Sequence, residues 1–263
     1  LLLWPSLLGL LLGGIEAGSV NFKNYLIVII GSILVRSCGC VINDISDYKF
    51  DKLVKRTATR PLATGALNLK EAWVFFFILG LMSLCLLLFT NSLTIKIALF
   101  FALLIMFYPM TKRFIKAPQF ILGITFGSGT LISYSLESNA FSPSILVLYF
   151  GVIAWVISFD TFYALEDIYD DKKIGIYSTP ILWGRNTIFI ARILQYLFYI
   201  SLAIIGFINK FSIFFILVII TLLLLDYVQM KYVKNKSFLE VFKFNNWIGI
   251  VAIFGFLIEI FII

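Results

Sequence analysis

The sequence predicts an all-α protein that crosses a membrane repeatedly, with about nine transmembrane helices around a central cavity. Its composition is the first reason. Hydrophobic residues make up 61% of the chain and charged residues only 13%, which differs from soluble globular domains. The second reason is the pattern along the chain, whose mean hydropathy is +1.03: apolar runs long enough to span a bilayer alternate with short charged loops. We therefore expect a single transmembrane domain over residues 1–263, with the lipid bilayer as its surroundings.

The apolar runs set the predicted order of helices, one span for each run. The first is shortened, because the chain begins at Leu1 inside an apolar run and without Met; we expect the start of helix one to be missing. The runs fall at roughly 1–15, 25–45, 72–90, 93–108, 119–136, 144–164, 187–208, 211–229 and 246–263.

The loop charges predict an orientation in the membrane. Sixteen Lys and Arg residues follow the even-numbered runs, whereas the other loops hold three. Since cationic loops stay on the cytoplasmic side, the ends of the even-numbered spans are predicted to face the cytoplasm or its equivalent. The net charge of +7 is explained by these topology signals, so we expect no nucleic-acid partner. The chain contains no histidine, which excludes His-based acid/base chemistry and His metal ligands.

An acidic stretch ends the second apolar run. Asn43, Asp47 and Asp51 are spaced i, i+4 and i+8, with Asp44 beside them, so a helix would place the first three on one face. Stacked carboxylates repel unless a hard cation lies between them, and Mg²⁺ accepts such oxygen ligands while keeping phosphates as its other partners. A cluster of fixed cations that would suit a phosphate follows at Lys55, Arg56 and Arg60. The alternative is a solvated acidic helix end followed by a basic loop.

A second acidic group closes the sixth apolar run. Asp160, Asp167 and Asp171 are spaced i, i+7 and i+11, again on one face of a helix, and Tyr163 lies among them. Because the two groups are four spans apart and on the same side, we expect an internal repeat that aims both carboxylate sets at one cavity.

Two charges lie deeper in these spans. Arg36 precedes Asn43 by seven residues, and Asp160 precedes Asp167 by the same interval, which is roughly 10 Å along a helix. An unpaired charge at that depth is costly, so we expect Arg36 and Asp160 to meet, directly or through a substrate. The alternative is that Arg36 only extends its side chain towards the membrane surface.

The two acidic motifs resemble the signature motifs of the UbiA family of intramembrane aromatic prenyltransferases. They read Asn43-Asp44-x-x-Asp47-x-x-x-Asp51 and Asp160-x-x-Tyr163-Ala164-x-x-Asp167-x-x-x-Asp171-x-x-x-Gly175-x-x-Ser178. The branch of the family that acts on 4-hydroxybenzoate is similar at further positions along nearly the whole chain. These are Leu1 to Pro5, Val54 to Thr57, Arg60-Pro61-Leu62, Tyr108-Pro109, Lys112-Arg113, Pro118-Gln119, Lys173 to Ile176, Ser178-Thr179 and Asn245-Asn246. We expect the family's N-terminal arm, like the start of helix one, to be missing from this sequence.

The resemblance implies nine helices around a cavity open sideways to lipid, Mg²⁺ as cofactor, and a polyprenyl diphosphate and 4-hydroxybenzoate as substrates. The product would be 3-polyprenyl-4-hydroxybenzoate, a ubiquinone precursor. We expect the catalytic carboxylates to be Asp47, Asp51, Asp160, Asp167 and Asp171. The expected metal ligands are Asn43, Asp44, Asp47, Asp51, Asp167 and Asp171. The expected substrate-binding residues are Arg36, Lys55, Arg56, Arg60, Lys112, Arg113 and Tyr163.

Individual roles follow from the chemistry of these side chains. Lys112 would join Lys55, Arg56 and Arg60 in holding the diphosphate oxygens. Arg113 is predicted to bind the carboxylate of the aromatic acid, since a guanidinium can grip a carboxylate with two parallel hydrogen bonds; alternatively it is a topology charge or a second phosphate ligand. Tyr163 would orient a phosphate or flank the allylic cation, or else is an ordinary interfacial aromatic residue.

Other functions remain as alternatives. Intramembrane acids also mark the ion pathways of transporters, but such acids lie near the bilayer midplane, whereas most of these cluster at one helix end. Within the family, prenyltransferases of menaquinone, haem or chlorophyll pathways are alternatives. The expected location is the bacterial inner membrane, with the mitochondrial inner membrane as the alternative.

Overall fold

The computed structural model describes residues 1–19, 21–53, 57–111 and 113–262, and within these ranges the chain forms helices and no strand. Nine of the helices are long, and three short ones lie in the connections between them. A 3₁₀ turn at Gly184–Asn186 precedes the tenth helix. The helices are α1 (Leu3–Ala17), α2 (Phe22–Asp51), α3 (Pro61–Thr64), α4 (Leu69–Leu87), α5 (Ser92–Thr111), α6 (Pro118–Tyr134), α7 (Pro143–Glu166), α8 (Ile168–Ile174), α9 (Thr179–Trp183), α10 (Thr187–Ile208), α11 (Ile213–Lys234) and α12 (Phe238–Ile262).

Seven helical segments of the described chain are long and apolar enough to cross a membrane. The prediction of an all-α, polytopic membrane protein is confirmed. Each predicted apolar run coincides with one long helix. However, α1 has 15 residues and α6 has 17, fewer than the roughly 20 that usually cross the hydrocarbon core. The count of nine spans therefore stays a prediction.

Local signals explain where several helices begin. Asn68 and Glu71 form a reciprocal capping box at the start of α4, with both side chain–backbone distances at 2.9 Å. Ser142 caps α7 by accepting a hydrogen bond from the Ile145 backbone N–H. Pro143 follows as the first residue of that helix, and α3 and α6 also begin with proline. Proline suits this position because its missing N–H would have had no partner within the helix.

Helix α7 lies at the centre of the tightly packed half of the molecule, where it contacts α6, α10 and α12. Its fully buried Trp155 stacks on Phe198 of α10, with ring centroids 4.6 Å apart. The Trp155 indole N–H also donates to the Asn245 side chain of α12 at 2.7 Å. Helix α1 approaches α6 so closely that a Cβ on Gly9 would lie 2.1 Å from the Thr130 carbonyl oxygen, so this crossing requires glycine. These contacts fix the wall that carries the second acidic group.

Helix α2 packs against α1, α4 and α5 in the other half of the bundle. It continues without a break through the first acidic stretch to Asp51, so Asn43, Asp47 and Asp51 do share one helix face, as expected. The expectation of a single helix for the second group is wrong. Helix α7 ends at Glu166, Asp167 has φ −100° and ψ 6°, and Asp171 belongs to α8. Aspartate favours such junctions because its side chain competes with the helical backbone for hydrogen bonds.

Candidate active site

A cavity of about 1010 Å³ lies within the helix bundle. Its walls come from α1, α2, α4, α5, α6, α7 and α12, together with the segment around α8. Side chains from the ends of α2 and α7 supply its polar part, and aliphatic and aromatic residues of α2, α4 and α5 line the remainder. The cavity is therefore amphipathic, with room for a charged group and an apolar chain.

Both acidic groups lie on this one cavity. Helix α2 contributes Asn43, Asp44, Asp47 and Asp51, of which Asp51 is buried and the others are partly exposed. From the opposite wall come Asp160, Tyr163, Asp167 and Asp171. The break at Asp167 does not separate the second group, because Asp167 and Asp171 still line the cavity on either side of it. The arrangement gathers carboxylates from two distant parts of the chain into one polar region.

Arg60 is bonded to two of these acids. Its Nη1 lies 2.9 Å from the Asp44 Oδ1 and 3.0 Å from the Asp51 Oδ2. The Arg60 backbone N–H donates to the Thr57 carbonyl oxygen at 3.0 Å, and the Thr57 hydroxyl donates to the Asp51 carbonyl oxygen at 3.1 Å. The guanidinium thus compensates two carboxylates and, with the Thr57 hydroxyl, ties residues 57–60 to the end of α2. Arg60 was predicted to bind phosphate. In this structure it lines the cavity, and its guanidinium is paired with Asp44 and Asp51.

Arg36 and Asp160 line the same cavity, deeper along α2 and α7 than the other charged residues. The Arg36 guanidinium lies over the Phe126 ring of α6, 5.7 Å from its centroid. Among the ion pairs between described residues, none joins Arg36 to Asp160. The direct form of the predicted pairing is therefore not seen, and a meeting through a bound substrate stays a prediction.

The remaining predicted cations are placed differently. Arg113 is exposed and does not line the cavity; its Nη2 donates to the Ser46 carbonyl oxygen at 2.6 Å. Its guanidinium lies over Phe50, which does line the cavity, at 5.3 Å from the ring centroid. Binding a carboxylate in the cavity would require Arg113 to leave Ser46, and this role stays a prediction. Three further predicted phosphate ligands lie outside the described residues: Lys55, Arg56 and Lys112.

Tyr163 stands on the cavity wall beside an aromatic partner. Its ring lies 4.6 Å from that of Phe242 on α12, tilted by 37°, and both residues line the cavity. This contact fixes the Tyr163 ring while leaving it adjacent to the acidic group.

The donor set fits magnesium. The side chains of the two acidic groups that line this space are Asn43, Asp44, Asp47, Asp51, Asp160, Asp167 and Asp171. Within the described part of the chain, no three acids are close enough to hold one ion by themselves. Mg²⁺ is commonly bound by one or two carboxylates together with waters and substrate phosphates. Such a divided set therefore suits ions bound jointly by protein and a phosphate ligand.

The apolar part of the cavity opens at the side of the bundle. Phe77, Leu81 and Leu84 of α4 line it while being 65%, 64% and 48% exposed, and Leu99 and Met106 of α5 are similar. Side chains that are both exposed and cavity-lining mark an opening between α4 and α5 on the membrane-facing side. An apolar chain could pass there from the lipid into the cavity.

A buried polar network outside the cavity was not predicted. Asp226 of α11 accepts hydrogen bonds from Arg192, Gln195 and Tyr196 of α10 at 3.3, 3.2 and 2.8 Å. The Gln195 amide also donates to Gln229 at 2.8 Å. A sequence signal for it exists, because each span carries two polar residues three positions apart, Arg192 with Gln195 and Asp226 with Gln229.

Fold and site together define an integral membrane protein with an acid-lined, amphipathic cavity inside a helix bundle. The sequence profile of the UbiA prenyltransferase family matches residues 2–251. The chain belongs to the UbiA prenyltransferase family.

Curated relatives cover almost the whole chain. One from Saccharophagus degradans, named 4-hydroxybenzoate octaprenyltransferase, is 37% identical across 98% of this chain and 87% of its own length. Another of that name, from Vesicomyosocius okutanii, is 37% identical across 99% of this chain and 96% of its own. A third, from Coxiella burnetii, is 35% identical across 98% and 90%.

Solved structures share the fold. A UbiA homolog from Aeropyrum pernix K1 superposes with a TM-score of 0.85 at 21% identity, covering 98% of this chain and 97% of that one. A UbiA homolog from Archaeoglobus fulgidus, described as bound to GPP and Mg²⁺, superposes with a TM-score of 0.70 at 18% identity, covering 98% of both chains.

Proposed function

We propose that this protein transfers a polyprenyl group from a polyprenyl diphosphate to the ring carbon of 4-hydroxybenzoate ortho to the hydroxyl, with Mg²⁺ as cofactor, in ubiquinone biosynthesis. The observation that carries the proposal is the meeting of both acidic groups on one cavity that continues into an apolar part open at the side. The names of the curated relatives support the choice of acceptor and donor.

The polar end would bind the diphosphate. Asn43, Asp47 and Asp51 from one wall, and Asp167 and Asp171 from the other, would hold Mg²⁺ with the diphosphate oxygens between them. Bound there, the metal would neutralise the leaving diphosphate and so favour cleavage of the C–O bond. Asp44 would belong to the same ligand set, and Arg60 links it to Asp51 at the cavity edge.

Two residues of the second acidic group, Asp160 and Tyr163, would stabilise the allylic cation. Cleavage leaves the electron pair on the diphosphate and positive charge on the allylic carbon. Asp160 provides a negative charge on the same cavity wall, and Tyr163 is held beside it by Phe242. Fixed groups of this kind stabilise developing charge because they need no reorganisation at the moment of reaction. The apolar lining of α4 and α5 would hold the chain and exclude water.

The acceptor ring must reach the allylic carbon with its carboxylate bound elsewhere. Arg36 lines the cavity beyond the acids, and Arg113 lies at the rim on Ser46. Both were predicted to bind substrate, and either cation could hold the carboxylate. The ring carbon ortho to the hydroxyl is activated by that oxygen and would form the new C–C bond. The C–H bond of that carbon then breaks, its proton passes to the released diphosphate, and the ring regains its aromaticity.

The test is product analysis with protein purified in detergent. Mass spectrometry follows the products formed from mixed prenyl diphosphates and a panel of aromatic acids, with Mg²⁺ and with EDTA. We expect a Mg²⁺-dependent prenylated 4-hydroxybenzoate. A product on another acceptor would point to a different pathway of the family. Uptake into sealed vesicles without any product would instead support a transporter.

We further propose the bacterial inner membrane as the location, supported by the bacterial sources of the relatives.

A further inference from the structure

Ser178 carries a buried hydroxyl that has no hydrogen-bond partner within the described part of the chain. Three buried side-chain atoms of the described residues have no hydrogen-bond partner: Thr130 Oγ1, Ser178 Oγ and Arg192 Nε. Of these residues only Ser178 lines the cavity, and it is 3% exposed. A buried hydroxyl without a partner is unfavourable in the free protein, so its position beside the cavity points to a ligand.

The local structure around Ser178 also leaves its hydroxyl without the hydrogen bond that is usual at the start of a helix. Ser178 precedes α9 at the position where a serine hydroxyl usually accepts from a helical N–H, yet no such cap bond forms. The next residue is fixed on both sides: the Thr179 N–H donates to Gln119 of α6 at 3.0 Å, and its hydroxyl is 2.7 Å from that of Thr161 on α7. The segment is thus anchored to two helices, while the buried Ser178 hydroxyl has no hydrogen-bond partner among the described residues.

The position of Ser178 relative to the second acidic group indicates which kind of ligand its hydroxyl would meet. The backbone N–H groups of Gly175 and Ile176 both donate to the Asp171 carbonyl oxygen at 3.0 Å, which folds this segment back towards α8. Ile176 and Tyr177 line the cavity with Ser178. Ser178 therefore lies on the wall of the second acidic group, where the leaving diphosphate would be bound.

We propose that the Ser178 hydroxyl donates a hydrogen bond to a diphosphate oxygen of the prenyl donor. This inference rests on the proposed function for the identity of the donor. Phosphate oxygens only accept, so a hydroxyl must act as donor, and a bond to a charged acceptor is stronger than one between neutral groups. Ser178 would supplement the cations without adding charge near Asp167 and Asp171.

The experiment measures binding as well as turnover. Inorganic diphosphate with Mg²⁺ is titrated into the detergent-purified protein, and the thermal shift gives its affinity. We expect Ser178→Ala to weaken diphosphate binding by about 10- to 100-fold, the range for losing a hydrogen bond to a charged group. Ser178→Thr, which keeps a hydroxyl, should retain most of the binding.

The ligand-free protein supplies a second readout. Because the hydroxyl has no partner there, Ser178→Ala should leave the melting temperature unchanged or raised. The matched control is Ser201→Ala: Ser201 is also buried, lies outside the cavity lining, and donates to the Phe198 carbonyl oxygen at 2.7 Å. That control should leave diphosphate binding unchanged. A lowered melting temperature for Ser178→Ala, with unchanged diphosphate affinity, would mean a structural role and overturn the proposal.

The remaining outcomes separate this inference from the proposed function. Weakened binding of 4-hydroxybenzoate alone, with diphosphate binding intact, would overturn it by assigning Ser178 to the acceptor. Diphosphate binding that depends on Ser178, in a protein that does not prenylate 4-hydroxybenzoate, would support it while the proposed acceptor failed. If the protein prenylates 4-hydroxybenzoate and Ser178→Ala leaves diphosphate binding unchanged, the proposed function is supported and the inference about Ser178 is overturned.

Discussion

Asp47 and Asp167 face one cavity from opposite walls, so the loss of either carboxylate should impair the same reaction. We expect Asp47→Asn and Asp167→Asn each to lower kcat by about 100-fold or more, the scale seen when one preorganised electrostatic group is removed. Both variants should still fold, since less negative charge remains in the site. The measurement is steady-state turnover with saturating Mg²⁺, alongside a melting curve.

Asp170 is the matched control for that prediction. It lies between Asp167 and Asp171 in sequence but does not line the cavity, and its Oδ1 is 4.0 Å from the Lys173 Nζ. Asp170→Asn should retain near-normal turnover. Near-normal turnover in Asp47→Asn or Asp167→Asn would contradict a site shared by both acidic groups.

Arg113 and Arg36 can be distinguished as ligands of the acceptor's carboxylate. If Arg113 leaves Ser46 to bind it, Arg113→Ala will raise KM for 4-hydroxybenzoate far more than for the prenyl diphosphate, because only uniform binding of one substrate is lost. If Arg36 binds it instead, the selective rise will appear in Arg36→Met, and Arg113→Ala will leave both KM values unchanged. An equal rise for both substrates in Arg113→Ala would assign that residue to the diphosphate.

At the scale of helices, α10 and α11 are joined by the buried network around Asp226. Its carboxylate is 5% exposed and accepts from three side chains of α10. We expect Asp226→Ala to lower the free energy of unfolding by about 3 kcal/mol, because it leaves Arg192 without its counter-charge and the Tyr196 hydroxyl without its carboxylate acceptor. Thermal unfolding in detergent measures this effect. Turnover per folded molecule should be unchanged, since the network does not line the cavity.

Thr221 provides the control on the same helix. Its hydroxyl is exposed and donates only to the Leu217 carbonyl oxygen of α11, so Thr221→Ala should have little effect on unfolding. A similar loss in both variants would show that the Asp226 network adds nothing beyond local helix stability.

The helices differ in how much of them the sequence predicts. Hydrophobic runs and their lengths predicted the long helices, because lipid-exposed segments must be apolar and satisfy their own backbone. The spacing of Asn43, Asp47 and Asp51 predicted one face of α2. The break at Asp167 was not predicted, since spacing alone cannot show where a backbone leaves the helix. The Asp226 network depends on two helices meeting at one register, a tertiary fact that the separate spans do not reveal.

The candidate active site, too, could be predicted from the sequence only in part. Residue types and spacing identified the acids that line the cavity, because carboxylates in an apolar chain are costly without a function. Arg60 and Arg113 look alike in the sequence as loop cations. The structure places Arg60 on Asp44 and Asp51 and places Arg113 on Ser46. Those partners depend on how loops fold back over α2, for which sequence spacing holds no signal.

The shape of the cavity leads to a prediction about the donor's chain length. Gly80 of α4 lines the cavity among exposed apolar residues, and a Cβ added there would meet no atom within 4 Å. The first atom of a side chain at this position therefore enters open space on the cavity wall. If the prenyl chain lies along this wall, Gly80→Phe should lower kcat/KM for a long-chain polyprenyl diphosphate by about 10-fold or more. Geranyl diphosphate should be spared because its chain is short. The size of the effect follows from the cost of forcing extra bulk into occupied space, about 1–3 kcal/mol.

Two variants control this prediction of chain-length selectivity. Gly80→Ala tests the backbone effect and should spare both donors, because one methyl group fits the open space. Leu217→Phe enlarges a side chain on α11 that is 55% exposed and away from the cavity, so it should also leave the ratio of the two donors unchanged. The ratio of kcat/KM values, measured with both donors on the same preparation, removes differences in the active fraction. Equal losses for both donors in Gly80→Phe would place the chain elsewhere, because a blocked chain path must penalise the longer donor more.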